Sequence, residues 1–127
     1  MQENSSQNII SYLEERLSHN TQDYVKLFAD LKKNFKGKDI SNLLNYIIIN
    51  KNDKKLLNYT IKEINKLKYL NNMNVLIDFI LKNDTNSELS DLKVLAIKTL
   101  SNFNNTSCVD ALLYCLNDKS SNYRIRL

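Results

Sequence analysis

Apolar residues recur along this chain at intervals of three and four, in seven successive runs. Ile9, Ile10, Leu13 and Leu17 make the first run, and Tyr24, Leu27, Phe28, Leu31 and Phe35 the second. Ile40, Leu43, Leu44, Ile47 and Ile48 make the third. This spacing paints one face of an α-helix. It predicts helices over residues 6–18, from Thr21 to a stop at Gly37, and from Asp39 or Ser41 onward. The run Ile47, Ile48, Ile49 has strand propensity, but Leu43 and Leu44 extend its apolar face upstream at helical spacing. A fourth helix is predicted over 53–70 with Leu57, Ile61, Ile64 and Leu67 inward, and a fifth over 73–82 with Leu76, Ile77, Ile80 and Leu81. A sixth starts at Ser87 or Ser90 and runs to Phe103. Leu92, Val94, Leu95, Ala96, Ile97 and Leu100 make it apolar over most of its girth, as for a helix packed on several sides. A seventh opens with Ser107, Cys108, Val109 and Asp110 in capping-box form and continues through Leu112, Leu113 and Leu116. Residues 123–127 read as the first turn of an eighth, which points to a longer array.

The runs repeat in pairs. Leu56, Leu57, Asn58, Tyr59, Thr60, Ile61, Lys62, Glu63 and Ile64 return as Leu92, Lys93, Val94, Leu95, Ala96, Ile97, Lys98, Thr99 and Leu100. Asn45, Tyr46, Ile47 and Ile48 return as Asp78, Phe79, Ile80 and Leu81, then as Leu113, Tyr114, Cys115 and Leu116. The two themes alternate with a period of 33 to 36 residues. Periods of this length belong to stacked helical pairs, each of which needs a neighbour to bury its apolar face. The linkers between runs are brief, which makes successive helices antiparallel. The expected fold is all-α, an α-solenoid of three to four antiparallel helical hairpins. Residues 1–37 form its amino-terminal capping hairpin and 38–127 the repeats, within one domain of 127 residues.

Composition agrees with helices. There is no Pro, and Gly37 is the only Gly, whereas sheet folds with many tight turns need more of both. The net charge of +4 is unevenly placed: residues 26–68 carry eleven Lys and four acids, while residues 1–25 carry one Arg and four acids. A basic middle suits nucleic acid, an acidic protein face or an anionic membrane, unless its lysines only coat solvated faces. The amino end lacks an apolar signal core, and no run approaches the roughly 20 residues that span a bilayer. Cys108 and Cys115 lie seven apart on one predicted helix, roughly 10 Å along its axis and too far to bridge. These features fit a cytoplasmic protein that does not engage a membrane.

Residues 94–127 carry a more specific pattern. Ala96, Ile97, Lys98, Thr99 and Leu100 precede a turn at Asn104 and Asn105. Val109, Asp110, Ala111, Leu112, Leu113 and Leu116 follow, then Asp118, Tyr123 and Arg124. This resembles HEAT-like helical repeats of the short bacterial type, over residues 39–127. The resemblance implies that Asp118 and Arg124 join a hydrogen-bonded ladder between repeats. HEAT-like hydroxylases rely on His-Glu pairs and HEAT-like glycosylases on aromatic clusters with Trp. This chain has one His and no Trp.

Catalysis is not expected. His19 has no second ligand type beside it, Glu14 and Glu15 point to different sides of a helix, and one Gly cannot make a phosphate loop. No cofactor or metal is expected either. The best candidate is a basic stripe: Lys55, Lys62 and Lys66 on one side of the fourth helix, Lys51 just before it, and Lys32, Lys33 and Lys36 from the second. Tyr59 and Tyr69 lie nearby. Such a stripe fits an acidic protein surface or phosphates. Arg16 is the only Arg before Arg124, and Arg is the usual bidentate reader of phosphates and bases. The leading expectation is therefore a non-enzymatic protein-binding module, such as an immunity protein that neutralises a cognate toxin. A nucleic-acid-associated module and the amino-terminal part of a larger scaffold are the alternatives.

Overall fold

The computed structural model describes residues 5–19, 23–83 and 87–103. They form six α-helices: α1 (Ser5–Ser18), α2 (Tyr24–Asn34), α3 (Gly37–Asn50), α4 (Lys54–Leu67), α5 (Met73–Lys82) and α6 (Ser90–Ser101). Two 3-10 turns, Leu70–Asn72 and Ser87–Leu89, precede α5 and α6. No strand occurs among the described residues, so they are all-α. The expected seventh helix, both cysteines, Asp118, Tyr123 and Arg124 lie outside them.

Local chemistry sets the ends. Asp23 caps α2 by accepting from the Lys26 amide at 3.0 Å, and Asp53 caps α4 by accepting from the amides of Lys55 and Leu56. The chain leaves α4 three residues earlier than expected, through Lys68 in the left-handed region at φ 54°. Gly37 was expected to end the second helix, and the structure corrects this. Phe35 ends α2 by turning extended, and Gly37 is the first residue of α3. The turn from α2 to α3 takes only Phe35 and Lys36. A Cβ on Gly37 would stand 2.6 Å from the Tyr69 hydroxyl, so a larger residue here would have to displace a distant side chain.

One apolar core runs through all six helices. Ile9 and Leu13 of α1, Leu27 of α2, Leu44 and Ile47 of α3, Ile61 and Ile64 of α4, Leu76 of α5, and Ile97 and Leu100 of α6 are fully buried. The sequence misassigned some positions. Leu81, expected inward, is 40% exposed, and Phe79 takes its place. Lys93 is fully buried on α6, with its Nζ donating to the Asn83 carbonyl at 2.5 Å. A buried lysine is tolerated only when its ammonium finds oxygen partners.

The helices neighbour one another in two rows. α3 contacts α1 and α5, while α4 contacts α2 and α6. Within a row the helices run parallel. Tyr24 near the start of α2 meets Asp53 and Tyr59, and Lys32 near its end meets Glu63. The end of α4 meets the end of α6 through Asn65 and Asn102. Hydrogen bonds between neighbours within a row join residues 26 to 37 apart, which brackets the sequence period.

Candidate functional site

The basic side is built on α2 and α4. Their row contact places Lys32 beside Glu63, with Nζ 2.9 Å from Oε1, and Lys66 reaches Oε2 of the same carboxylate at 3.4 Å. The Lys32 contact is an ion pair without hydrogen-bond alignment. Glu63 is nearly buried, and two lysines balance its charge. Lys32 and Lys66 are thus tied to the fold as well as to the surface.

Lys55 and Lys62 are exposed, and each ammonium lies over a ring: Lys55 at 5.8 Å over Tyr24 and Lys62 at 5.9 Å over Tyr59. The two rings meet edge-on with centroids 5.8 Å apart. The Tyr24 hydroxyl donates to Asp53 Oδ2 at 3.0 Å. Burial, and then that hydrogen bond, push the Tyr24 hydroxyl pKa above its usual value. Tyr59 is half-buried between the two lysines, with Asn58 beside it.

Two expected members belong elsewhere. Lys51 turns toward α1, where its Nζ donates to Glu14 Oε1 at 2.7 Å and lies 5.9 Å over the Tyr46 ring. Tyr69 is half-buried, and its hydroxyl fills the space above Gly37. Its packing role leaves little of the ring for a partner. Lys33 and Lys36 are exposed, with no carboxylate in pairing distance among the described residues.

Three residues outside the predicted set join Lys33 and Lys36 at one edge. Lys38 and Lys68 are exposed, and Leu70 is 65% exposed in the 3-10 turn that follows α4. A helix expected to continue to residue 70 concealed that turn. Charge spacing alone points to Lys38, but Leu70 stands out only once the end of α4 is known.

Two clefts lie toward the opposite edge. One of about 490 Å³ is floored by Ile48, Leu57, Val75 and Phe79, with Lys54, Lys82 and Asp78 at its rim. The other, about 340 Å³, adjoins it between Lys55, Tyr59 and Asp91. Their rims mix both signs of charge. Among the described residues, no group of three or more His, Cys, Asp or Glu side chains is placed to hold a metal. No helix among them is long and apolar enough to cross a membrane. Compared with known protein families, with curated proteins and with solved structures, the chain matches none.

Proposed function

We propose that the chain is a non-enzymatic protein-binding module, a short α-solenoid of HEAT-like hairpins that holds an acidic partner on its basic side. The observation that carries this reading is a set of exposed lysines on two adjacent parallel helices and on the turn that follows the first of them. Lys33, Lys36, Lys55 and Lys62 have no carboxylate in pairing distance among the described residues. The solenoid part is supported by the parallel rows and by bonds between row neighbours at close to the repeat spacing. Stacked hairpins offer a rigid, extended binding face.

A protein partner is favoured over nucleic acid by the kind of cation present. Arg16 is the only Arg among the described residues, and its guanidinium already donates to Asp30 at 3.0 Å and Tyr12 at 2.9 Å. Lysines attract phosphates but do not read base edges bidentately. The test combines affinity isolation with a binding titration on random-sequence duplex. A stable complex with an acidic protein is expected, and the double variant Lys55→Glu, Lys62→Glu slows its formation. Duplex binding is expected to be negligible at about 0.15 M salt. Micromolar duplex binding under those conditions, with no protein partner recovered, reverses the reading.

A further inference from the structure

The lysines of the basic side differ in how free they are. Lys32 and Lys66 are held by Glu63, and Lys55 and Lys62 sit over tyrosine rings. Lys33, Lys36 and Lys38 have no hydrogen-bond or ion-pair partner among the described residues, and Lys68 donates only to the Asn65 carbonyl at 2.7 Å. All four are exposed.

They gather at one edge because the backbone does. Gly37 lies against the Tyr69 hydroxyl, which sets residues 36–38 beside the turn 69–72. That turn is fastened to α3 by side-chain amides. Asn72 is fully buried and donates to the Ser41 carbonyl at 2.9 Å and to Asn45 Oδ1 at 2.7 Å. Asn71 accepts from the Ser41 hydroxyl, its amide donates to Asn42, and its carbonyl accepts from Asn45. Leu70 is therefore an exposed apolar side chain on a fixed platform, with Lys68 two residues before it and Lys36 and Lys38 flanking the Gly37 that packs on Tyr69.

The local field is cationic but moderated. The start of α3 opens here with no side-chain cap, whereas the starts of α2 and α4 at the other edge are capped by Asp23 and Asp53. The ends of α2 and α4 also open here, and their partial negative charge offsets part of the lysine charge. Of the acids near the ends of these helices, Asp39 is nearly buried, Glu63 is held by two lysines, and Asp30 is paired with Arg16 and Lys26.

We infer that the acidic partner docks on this edge. Leu70 is the apolar anchor, and Lys33, Lys36, Lys38 and Lys68 are the surrounding cations. The inference rests on the protein-binding reading above and narrows it. The occupant is an acidic protein segment with an apolar side chain between its carboxylates. An apolar centre inside a charged rim is the usual anatomy of a protein contact, and a phosphodiester backbone has no use for Leu70.

Two synthetic glutamate-rich peptides test this, identical except for a central Leu-Phe pair in one and Ser-Ser in the other. They are titrated at about 0.15 M salt into the full chain, with amide chemical shifts as the readout. Circular dichroism of every variant confirms that it folds. The Leu-Phe peptide is expected to bind about tenfold tighter than the other, with shifts centred on residues 36–39 and 68–72. Leu70→Ser should abolish that preference. Neutralising the edge (K33Q, K36Q, K38Q, K68Q) should weaken both peptides about tenfold. Neutralising four exposed lysines outside the basic side's unpaired set (K26Q, K54Q, K82Q, K98Q) should change affinity less than about twofold. Equal weakening by the two sets, or a preference that survives Leu70→Ser, overturns this edge as the site while leaving the acidic-partner reading intact. If neither peptide binds the unaltered chain, that broader reading falls too. Tighter binding of a random duplex than of either peptide replaces the protein partner with nucleic acid.

Discussion

At the amino end, α1 meets α3 through Glu14, whose carboxylate takes the Tyr46 hydroxyl and the Lys51 ammonium, and meets α2 through Arg16 on Asp30. Farther along, α3 meets the turn before α5 through Ser41, Asn42, Asn45, Asn71 and Asn72, and α4 meets the end of α6 through Asn65 and Asn102 at 2.7 Å. Charge dominates the polar contacts of α1, while neutral amides dominate those of the turn 69–72 and of the ends of α4 and α6. Both kinds of bond do the same geometric work of keeping parallel helices in register. They differ in what disturbs them. Ion pairs weaken with salt and with titration, while amide pairs respond to neither over ordinary pH. An Asn-rich chain thus gains one region indifferent to ionic conditions and one that senses them.

The core beneath both regions gives the largest expected effects. Leu13 in α1 and Leu100 in α6 are fully buried. Leu13→Ala and Leu100→Ala should each cost about 2–5 kcal/mol in urea unfolding. Similar losses would place the difference between the regions in their polar junctions alone. A loss below about 0.5 kcal/mol at Leu100 would mean that α6 is not anchored as described.

The amide junction comes next. Asn72→Ala leaves the Ser41 carbonyl and Asn45 Oδ1 without this donor. The expected cost is about 1–3 kcal/mol, unchanged between low and high salt. A cost that shrinks with added salt would show that the junction is less insulated from charge than its partners imply. Glu63→Gln provides the contrast, because its effect should diminish as salt rises.

Much of this architecture was legible before any coordinates. Apolar spacing located six helices because burying one face is a local pattern repeated every turn. Bonded row neighbours stand 26 to 37 residues apart, a range that brackets the sequence period of 33 to 36 without matching it. What escaped depended on partners far away in sequence. Gly37 obeys the usual rule for a helix stop, yet its role is set by the Tyr69 hydroxyl. Lys93 stands in an apolar run, where a lysine reads as solvent-facing, and the Asn83 carbonyl, ten residues earlier, helps to make its burial tolerable. Of the candidate stripe, Lys55, Lys62 and Lys66 are exposed. Spacing could not show that Glu63 holds Lys66 and Lys32 together, or that Lys51 answers to Glu14.

Gly37 allows a sharper test of the junction between α3 and the turn 69–72. Ala is a better helix former than Gly by about 0.5–1 kcal/mol. At this site its Cβ would meet the Tyr69 hydroxyl at 2.6 Å, and overpacking costs typically about 1–3 kcal/mol. Gly37→Ala should therefore destabilise by about 1 kcal/mol. Combined with Tyr69→Phe, the cost should largely disappear, because the crowding atom is gone. Strict additivity of the two substitutions in a double-mutant cycle would show that the contact does not constrain the junction.

The smallest effect separates the two regions most directly. The Lys51 hydrogen bond, aided by the Tyr46 hydroxyl, holds the Glu14 carboxyl below its usual pKa, and Arg16 does the same for Asp30. A carboxylate with a depressed folded pKa lends stability above its unfolded value and loses it as pH falls through the folded value. Acid below about pH 4 should therefore loosen the α1 and α2 contacts first. The alkaline side follows the opposite sign. The Glu14 hydrogen bond raises the Tyr46 pKa, and burial together with the Asp53 hydrogen bond raises that of Tyr24. Their stabilising contribution is complete below about pH 10 and fades as pH rises through the raised values. Native-state hydrogen exchange at pH 7 and near pH 3.5, corrected for intrinsic rates, should show protection lost in α1 and α2 before α3, α5 and α6. Glu14→Gln should blunt the acid response of α1 without touching the amide junctions. Uniform loss of protection across all six helices would mean that the two junction chemistries do not divide the fold into regions of different sensitivity.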